Sequence, residues 1–265
     1  INFISRTKTN RLGEKFERFW HFWLSECQGK KVVAADYQVQ LKDRTLGAFD
    51  LLVDESHTSE DNGLENQSLS RFQQTIKSRL LSHYELTVKF YLNSSHGSRM
   101  SDWYGPDQSD RLDKKINRMV EHQLKLSQYP ATEKLLQQKR WQIEKIYGIC
   151  KGRLFWNAFT KTTTLPEWIN PQVELGFWCP ASQFKAVQKQ QLLQWYLLDK
   201  NDWFAPLNQK DVAEMGNLDE RELQEHIKQL NRVVQIAGYD PVNNRERIRG
   251  FVVPDEWLLK LNQIE

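Results

Sequence analysis

The chain has 265 residues, of which 39% are hydrophobic and 27% charged, a composition typical of a soluble globular protein of one or two domains. The formal net charge of +3 is too small to indicate a nucleic-acid-binding surface by itself. The three Cys are far apart, which argues against a disulfide framework and a paired zinc motif, and no apolar run is long enough to span a membrane. We therefore expect a cytoplasmic protein without a membrane partner.

The first predicted elements are a helix and a β-hairpin. Aromatic residues recur at helical spacing over residues 12–24, while residues 32–41 and 45–53 have the composition of two strands joined by a short turn. Residues 55–77 are rich in Ser, Asn, Gln and acidic residues, which predicts a long polar insertion.

The clearest strand pattern covers residues 83–92. Apolar and polar residues alternate there, so that Glu85, Thr87 and Lys89 share one face, about 7 Å apart in succession. Asp50 lies on the neighbouring predicted strand. If the two strands pair, the carboxylates of Asp50 and Glu85 can bind Mg²⁺ (or Mn²⁺) beside an ammonium group, a combination that suits phosphodiester hydrolysis. The structural alternative is a solvated Glu–Lys pair on a polar strand face.

The remaining elements are predicted mainly as helices. Residues 111–126 and 132–147 have helical apolar spacing, residues 152–159 predict a short strand, and residues 160–184 are irregular and Trp-rich. Further helices are predicted over 185–198 and 219–236, and a hairpin over 235–253. The order indicates a mixed α/β core over residues 1–159, followed by a Trp-rich, mainly helical C-terminal region over residues 160–265.

Two regions carry candidate nucleic-acid contacts. A basic stripe along the predicted helix 111–126 could neutralise phosphates, although a solvated helix face explains the same charges; it contains Arg111, Lys114, Lys115, Arg118, His122 and Lys125. In the C-terminal region, the order helix, helix, hairpin resembles a winged helix, which would bring four Arg near its wing and recognition helix: Arg232, Arg245, Arg247 and Arg249.

Five stretches together resemble the signatures of one bacterial family, the domain-of-unknown-function family 1853, which is similar in turn to the PD-(D/E)xK nuclease superfamily. The resemblance covers residues 12–156 well and the C-terminal third loosely. The stretches are Leu12-Gly13…Phe16-Glu17, Arg44-Thr45-Leu46-Gly47-Ala48-Phe49-Asp50, Glu85-Leu86-Thr87-Val88-Lys89-Phe90-Tyr91-Leu92, Gly105-Pro106…Asp110-Arg111-Leu112-Asp113-Lys114-Lys115 and His122-Gln123-Leu124-Lys125-Leu126-Ser127.

The resemblance implies a restriction-endonuclease-like core, a mixed sheet flanked by helices, with Asp50 as a metal-binding acid and Lys89 as the catalytic Lys. It also implies an extra acid on the first helix, either Glu17 or Glu14, and a Gln on the later helix, Gln123, that faces the site.

The sequence departs from the superfamily at two positions. Ala48 stands where members often have Glu, and Thr87 stands two residues before the Lys, where they usually have an acid. Glu85 lies one pleat further along the same face and is the candidate replacement for that acid.

Three hypotheses follow from these patterns. The first is a Mg²⁺-dependent nuclease that cleaves DNA or other nucleic acid. The second is a nuclease-fold protein that binds nucleic acid, DNA or RNA, without cutting it, as the residues at positions 48 and 87 suggest. The third is a scaffold that binds a protein partner through the Trp-rich C-terminal region, because aromatic residues are enriched at interface hot spots.

Overall fold

The computed structural model describes residues 11–54, 78–94, 97–160, 164–190, 192–215 and 219–261. The predicted insertion at 55–77 lies outside the described residues. The described strands are β1 Lys31–Leu41, β2 Arg44–Asp54, β3 Arg79–Asn93, β4 Trp103–Tyr104, β5 Trp141–Asn157, β6 Glu174–Pro180, β7 Gln194–Leu198, β8 Val234–Asp240 and β9 Arg245–Val253. The described α-helices are α1 Leu12–Phe22, α2 Leu112–Arg118, α3 Pro130–Lys139, α4 Phe184–Gln190, α5 Gln209–Met215, α6 Glu220–Leu230 and α7 Trp257–Leu261.

The chain forms two compact units. One comprises Ile1–Val88 and Ile116–Lys151, and the other comprises Lys89–Lys115 and Gly152–Glu265. Strands β3 and β5 contribute residues to both units, because the divisions fall within them. Helices and a sheet of mixed strand direction occur together, so the predicted mixed α/β class is confirmed.

The first unit is built on the predicted helix and hairpin, and both are confirmed. Helix α1 continues into a π-helical turn at Trp23–Cys27. Strands β1 and β2 pair antiparallel through a tight turn in which Lys42 takes the left-handed conformation, with φ of 51°. Strand β2 in turn pairs antiparallel with β3. The residues buried in this core come from both hairpin strands, β3 and the segment after α2: Val39, Phe49, Leu52, Leu81 and Leu126.

The predicted helix 111–126 is interrupted. It begins with α2 and then becomes a π-helical turn at Met119–Gln123. A π turn inserts one extra residue per turn, which rotates every following side chain relative to an α-helix. In this segment Leu112 and Met119 are buried, whereas Val120 is 45% exposed.

The second unit contains a mixed sheet. Strand β6 runs parallel to β5 and to β9, whereas β8 pairs antiparallel with β9 and β7 antiparallel with β8. The hairpin predicted over 235–253 is therefore confirmed as β8 and β9. Helices α4 and α6 pack near this sheet and bury Phe184, Leu223 and Ile227 in its core. The expectation of a mainly helical C-terminal region was wrong, because strands β6 to β9 all lie in it.

Two predicted helices are strands over their second half. Helix α3 ends where Arg140 takes the left-handed conformation, with φ of 55°, and Trp141 begins β5. Helix α4 ends at Gln190, and Gln194–Leu198 instead pairs with β8 along its whole length. Both segments have apolar residues at helical spacing, but cross-strand pairing overrides that local pattern.

Arg249 was predicted near a nucleic-acid-binding wing, and the structure places it elsewhere. Its side chain is 2% exposed. The guanidinium donates to the carboxylate of Glu246 and to the carbonyl oxygens of Asp202, Trp203 and Ala205. These bonds satisfy a buried cation within the second unit, so the Arg249 guanidinium is not available to bind phosphate.

Gly152 gives the first testable prediction. It adopts a φ of 146°, and a Cβ built on it would lie 1.7 Å from the carbonyl oxygen of Lys89. Because that neighbour is backbone, the clash cannot be relieved by a rotamer change. We expect Gly152→Ala to lower the free energy of unfolding by about 3 kcal/mol, measured by urea denaturation followed by circular dichroism.

Gly13→Ala is the matched control for this substitution. Gly13 lies in α1, and a Cβ there meets nothing within 4 Å. Alanine should therefore stabilise the helix by about 0.5–1 kcal/mol, since it loses less backbone freedom on folding. An unfolding midpoint for Gly152→Ala equal to that of the unsubstituted protein would contradict the close approach of the two strands.

Candidate functional site

Glu85 is a buried carboxylate on β3, with 1% of its surface exposed. Its Oε1 accepts a hydrogen bond from the side-chain amide of Gln123. Its Oε2 lies 3.8 Å from Nε2 of His83, and it accepts no hydrogen bond from any residue that the structure describes. A buried acceptor without a donor is costly, so this oxygen marks a place where a further polar group is needed.

Gln123 reaches Glu85 because of the π turn that contains it. The turn covers Met119–Gln123, and the next residue, Leu124, donates its N–H to the carbonyl oxygen of Met119, five residues back. Wide turns of this kind occur often at functional sites, where they redirect one side chain. The structure thus brings Gln123 to the carboxylate that the strand pattern singled out.

Asp50 lies beside Glu85 at the point where β2 and β3 stop pairing. The paired residues extend from Val53 and Ser82 to Leu51 and Tyr84. Beyond them, Oδ2 of Asp50 accepts the backbone N–H of Leu86 at 2.7 Å. The half-buried Asp50 carboxylate thus accepts the N–H that a backbone carbonyl oxygen of β2 would accept in a continuous sheet. This bond holds Asp50 against β3 at Leu86, the residue after Glu85.

Asp36 adds a third acid near this point, one that the sequence patterns did not single out. Its neighbours Ala35 and Tyr37 pair with Leu51 and Phe49, which places Asp36 opposite Asp50. Asp36 has a φ of 46°, a conformation that non-Gly residues adopt rarely and that clusters at functional sites. An Asp inside an apolar strand pattern is itself unusual, and that is the signal that could have identified it.

The pKa of Glu17, on α1, is raised in the folded protein. Burial first, and then the negative charges of Asp36, Glu14 and Glu85, raise the pKa of Glu17 from 4.5 to about 7. Glu14 lies one turn earlier on α1 and forms an ion pair with Arg11 at 3.3 Å. Of the two candidate acids on the first helix, Glu17 is the one that is held among other carboxylates.

Lys89 belongs to the second unit. Its Nζ donates to Oδ2 of Asp110 at 2.5 Å, and the hydroxyl of Tyr91 donates to the same oxygen at 3.1 Å. Thr87, two residues before Lys89, is buried. Asp110 had no predicted role, although it lies in a loop, where binding and catalytic residues are common.

The basic stripe has partners of its own. The guanidinium of Arg111 donates to both carboxylate oxygens of Asp113, at 2.7 and 2.9 Å. Lys125 pairs with Glu121 at 2.5 Å, one helical turn away. The side chain of Lys115 is half-buried, whereas that of Arg118 is exposed. The exposed cations of the six-residue stripe are therefore Lys114, Arg118 and Lys125.

A metal ion could be held here only with the help of water or substrate. Within the part of the chain that the structure describes, no three His, Cys, Asp or Glu side chains are placed to hold one together. Mg²⁺ usually keeps several waters and takes only one or two protein carboxylates. Asp50 and Glu85 would meet that requirement, and Oε2 of Glu85, which has no hydrogen-bond donor among the described residues and lies 3.8 Å from His83, is the oxygen that a cation could contact.

The chain belongs to the family Domain of unknown function (DUF1853), whose model matches residues 1–62 and 72–253. The family resemblance of the sequence motifs is thus confirmed. Comparison with curated proteins and with solved structures found no match. Among the described residues, no helix is long and apolar enough to cross a lipid bilayer.

The raised pKa of Glu17 predicts a pH dependence of stability. Between pH 4.5 and about 7 the folded protein keeps the Glu17 proton that the unfolded chain has lost. Glu17 therefore stabilises the fold below pH 4.5, and this contribution is lost as the pH rises through about 7. We expect the free energy of unfolding of the unsubstituted protein, relative to Glu17→Gln, to fall as the pH rises through this window.

Urea denaturation of both proteins at a series of pH values measures this difference. Glu26→Gln, which removes a carboxylate from an exposed position after the same helix, is the control and should show no such trend. A stability difference between the unsubstituted protein and Glu17→Gln that is constant with pH would show that the pKa of Glu17 is not raised in the folded protein.

Proposed function

We propose that this protein is a Mg²⁺-dependent nuclease that cleaves phosphodiester bonds of DNA or other nucleic acid. The observation that carries the proposal is the buried Glu85 carboxylate, whose Oε2 has no donor among the described residues and whose backbone lies beside the Asp50 carboxylate. Carboxylates brought together in this way repel one another, and a divalent cation offsets that repulsion.

The order of elements supports a PD-(D/E)xK-like core. Helix α1 precedes three consecutive antiparallel strands, β1, β2 and β3, which are followed by α2 and later by β5. The resemblance implies this succession of helix, three-stranded meander, helix and strand. Asp50 lies on the second strand of the meander and Lys89 on the third, as that core requires.

Asp50 and Glu85 would hold the cation, Mg²⁺ or Mn²⁺. When bound, it lowers the pKa of a water ligand and neutralises charge on the scissile phosphate. Gln123 fixes the orientation of the Glu85 carboxylate through Oε1, which leaves Oε2 as the oxygen available to a cation. Glu17 gives the site a carboxyl whose pKa of about 7 suits proton transfer near neutral pH.

Lys89 would orient the attacking water and stabilise negative charge that develops on the phosphate oxygens. It follows Glu85 by four residues in the alternating sequence of residues 83–92, a spacing that predicts one shared strand face. Arg118 and the neighbouring cations of the basic stripe would contact phosphates outside the reacting group.

The second candidate function is nucleic-acid binding without cleavage. Ala48 and Thr87 stand where superfamily members have acids, and the buried Thr87 provides only a hydroxyl. This protein would bind DNA or RNA with an affinity that falls steeply with salt, and it would release no products at any metal concentration.

A protein scaffold is less well supported. The Trp residues that suggested it are largely used in the core of the second unit, where Trp156, Trp178 and Trp195 are buried. Trp168 differs, at 82% exposed. A single exposed aromatic residue is normal for a protein surface and does not define an interface.

Cleavage assays on supercoiled plasmid and on single-stranded DNA and RNA test the proposal. We expect cleavage to require Mg²⁺ or Mn²⁺. It should fall by about 10²-fold or more in Lys89→Ala and in Glu85→Gln, because each removes a group that interacts with the reacting phosphate or with its cation.

Lys210→Ala is the matched control, since Lys210 is an exposed Lys that pairs only loosely with Glu214, at 3.8 Å. Circular dichroism should show that all three variants are folded. Cleavage that persists in Lys89→Ala, or that needs no divalent metal, would contradict the proposal. Salt-sensitive binding without products would favour the second candidate function.

A further inference from the structure

Asp110 receives two hydrogen bonds on one oxygen. The Lys89 ammonium lies 2.5 Å from Oδ2, and the Tyr91 hydroxyl lies 3.1 Å from the same atom. Lys89 and Tyr91 are two residues apart on β3, so they project from the same face of the strand. The Asp110 carboxylate therefore contacts two neighbouring side chains on one face of β3, and one of them is the proposed catalytic Lys.

The loop that carries Asp110 is attached to β3 itself. Strand β4 pairs with the end of β3 through Leu92–Tyr104 and Asn93–Trp103. The chain then turns back, and the N–H of Gly105 donates to the carbonyl oxygen of Asp110 at 2.8 Å. Lys89 lies on β3, and Asp110 lies on the turn after β4, which pairs with β3. The distance between the two side chains is therefore set by β3, β4 and this turn.

The backbone of Lys89 is fixed as well. Its carbonyl oxygen approaches Gly152 so closely that no side chain fits at that position. The Lys side chain remains partly exposed, at 35%, and a free Lys loses rotamer entropy when it is held in one orientation. Because Asp110 is held in place, Lys89 is already partly ordered before substrate binds, and less rotamer entropy is lost on binding.

We propose that Asp110 is the positioning residue for Lys89, directing its ammonium group toward the phosphate, with the Tyr91 hydroxyl holding the carboxylate in place. The inference rests on the proposed nuclease function. It assigns a role to Asp110, which lies in one of the stretches that resemble the family but to which the resemblance gives no role. Asp110 acts through Lys89 and does not itself touch the substrate.

A purely structural ion pair is the alternative, because partly exposed pairs commonly contribute little to stability. The two explanations differ in what the loss of Asp110 does to Lys89. A positioning carboxylate controls the amine's orientation and reactivity, and its effect on cleavage depends on Lys89. The loss of a purely structural pair affects cleavage only through the stability of the protein. Its effect on cleavage is therefore the same whether or not the Lys89 amine is present.

The test uses Asp110→Asn, Asp110→Glu and Tyr91→Phe in the full chain, with Asp107→Asn as the matched control. Asp107 is an exposed acid of the same loop whose Oδ1 bonds only to Ser109 among the described contacts. Acetylation by acetic anhydride, quantified at Lys89 by peptide mass spectrometry, measures the amine directly and needs no nuclease activity.

We expect Asp110→Asn to raise the acetylation rate of Lys89 about threefold, the scale of a partly exposed ion pair, while Asp107→Asn leaves it unchanged. The kcat of cleavage should fall about 10-fold or more with KM nearly unchanged, since only orientation in the transition state is lost. Asp110→Glu should recover part of kcat, and Tyr91→Phe should cause a smaller loss than Asp110→Asn.

The double variant Asp110→Asn with Lys89→Ala should cleave no more slowly than Lys89→Ala alone, because the positioning residue has nothing left to position. Equal losses in both backgrounds, or an unchanged acetylation rate, would overturn the proposal. If the unsubstituted protein cleaves nothing while Lys89 acetylation still rises in Asp110→Asn, the nuclease function fails and the control of Lys89 by Asp110 stands.

Discussion

The burial of the Glu85 carboxylate on β3 is the constraint on which the rest of the site depends. An ionised carboxylate inside a protein is tolerated only when other groups compensate for the water it has lost. Gln123 compensates one oxygen, and it reaches that oxygen from a π-helical turn that a regular helix would not provide. The second oxygen has no hydrogen-bond donor among the described residues and lies 3.8 Å from Nε2 of His83, and the proposed cation would supply a partner for it.

Other acidic residues are placed near Glu85 by the same part of the fold. Asp50 is fixed by the Leu86 N–H, and Asp36 is held opposite it in a left-handed conformation. Burial first, and then the negative charges of Asp36, Glu14 and Glu85, raise the pKa of Glu17 on α1 to about 7. Carboxylates with perturbed pKa values occur often at functional sites, which supports the proposed cation site.

Much of the first unit could be predicted from the sequence, because its elements have regular patterns. Helix α1 and strand β3 show periods of 3.6 and 2, and the hairpin has a polar turn at Lys42. Strand β5 was mispredicted because its first half, starting at Trp141, is largely exposed and has apolar residues at helical spacing. Strand β7 was mispredicted because its pairing with β8 is a long-range contact that overrides local spacing.

Some residues of the candidate site could be predicted from the sequence, and others could not. Asp50, Glu85 and Lys89 followed from strand periodicity and from family motifs, and Gln123 followed from the resemblance alone. Asp110 and Asp36 did not, because one depends on how a loop returns to the strand it left and the other on a backbone irregularity opposite Asp50. Neither effect leaves a periodic signal in the sequence.

The central claim is that Asp50 and Glu85 hold a divalent cation, and paramagnetic broadening by Mn²⁺ tests it most directly. In a ¹H–¹⁵N spectrum, the Leu86 amide and the Gln123 side-chain amide each donate to one of these carboxylates. We expect substoichiometric Mn²⁺ to broaden these two signals first, and Mg²⁺ to reverse the effect. Broadening that is spread over exposed acids, or that is unchanged in Glu85→Gln, would contradict the account.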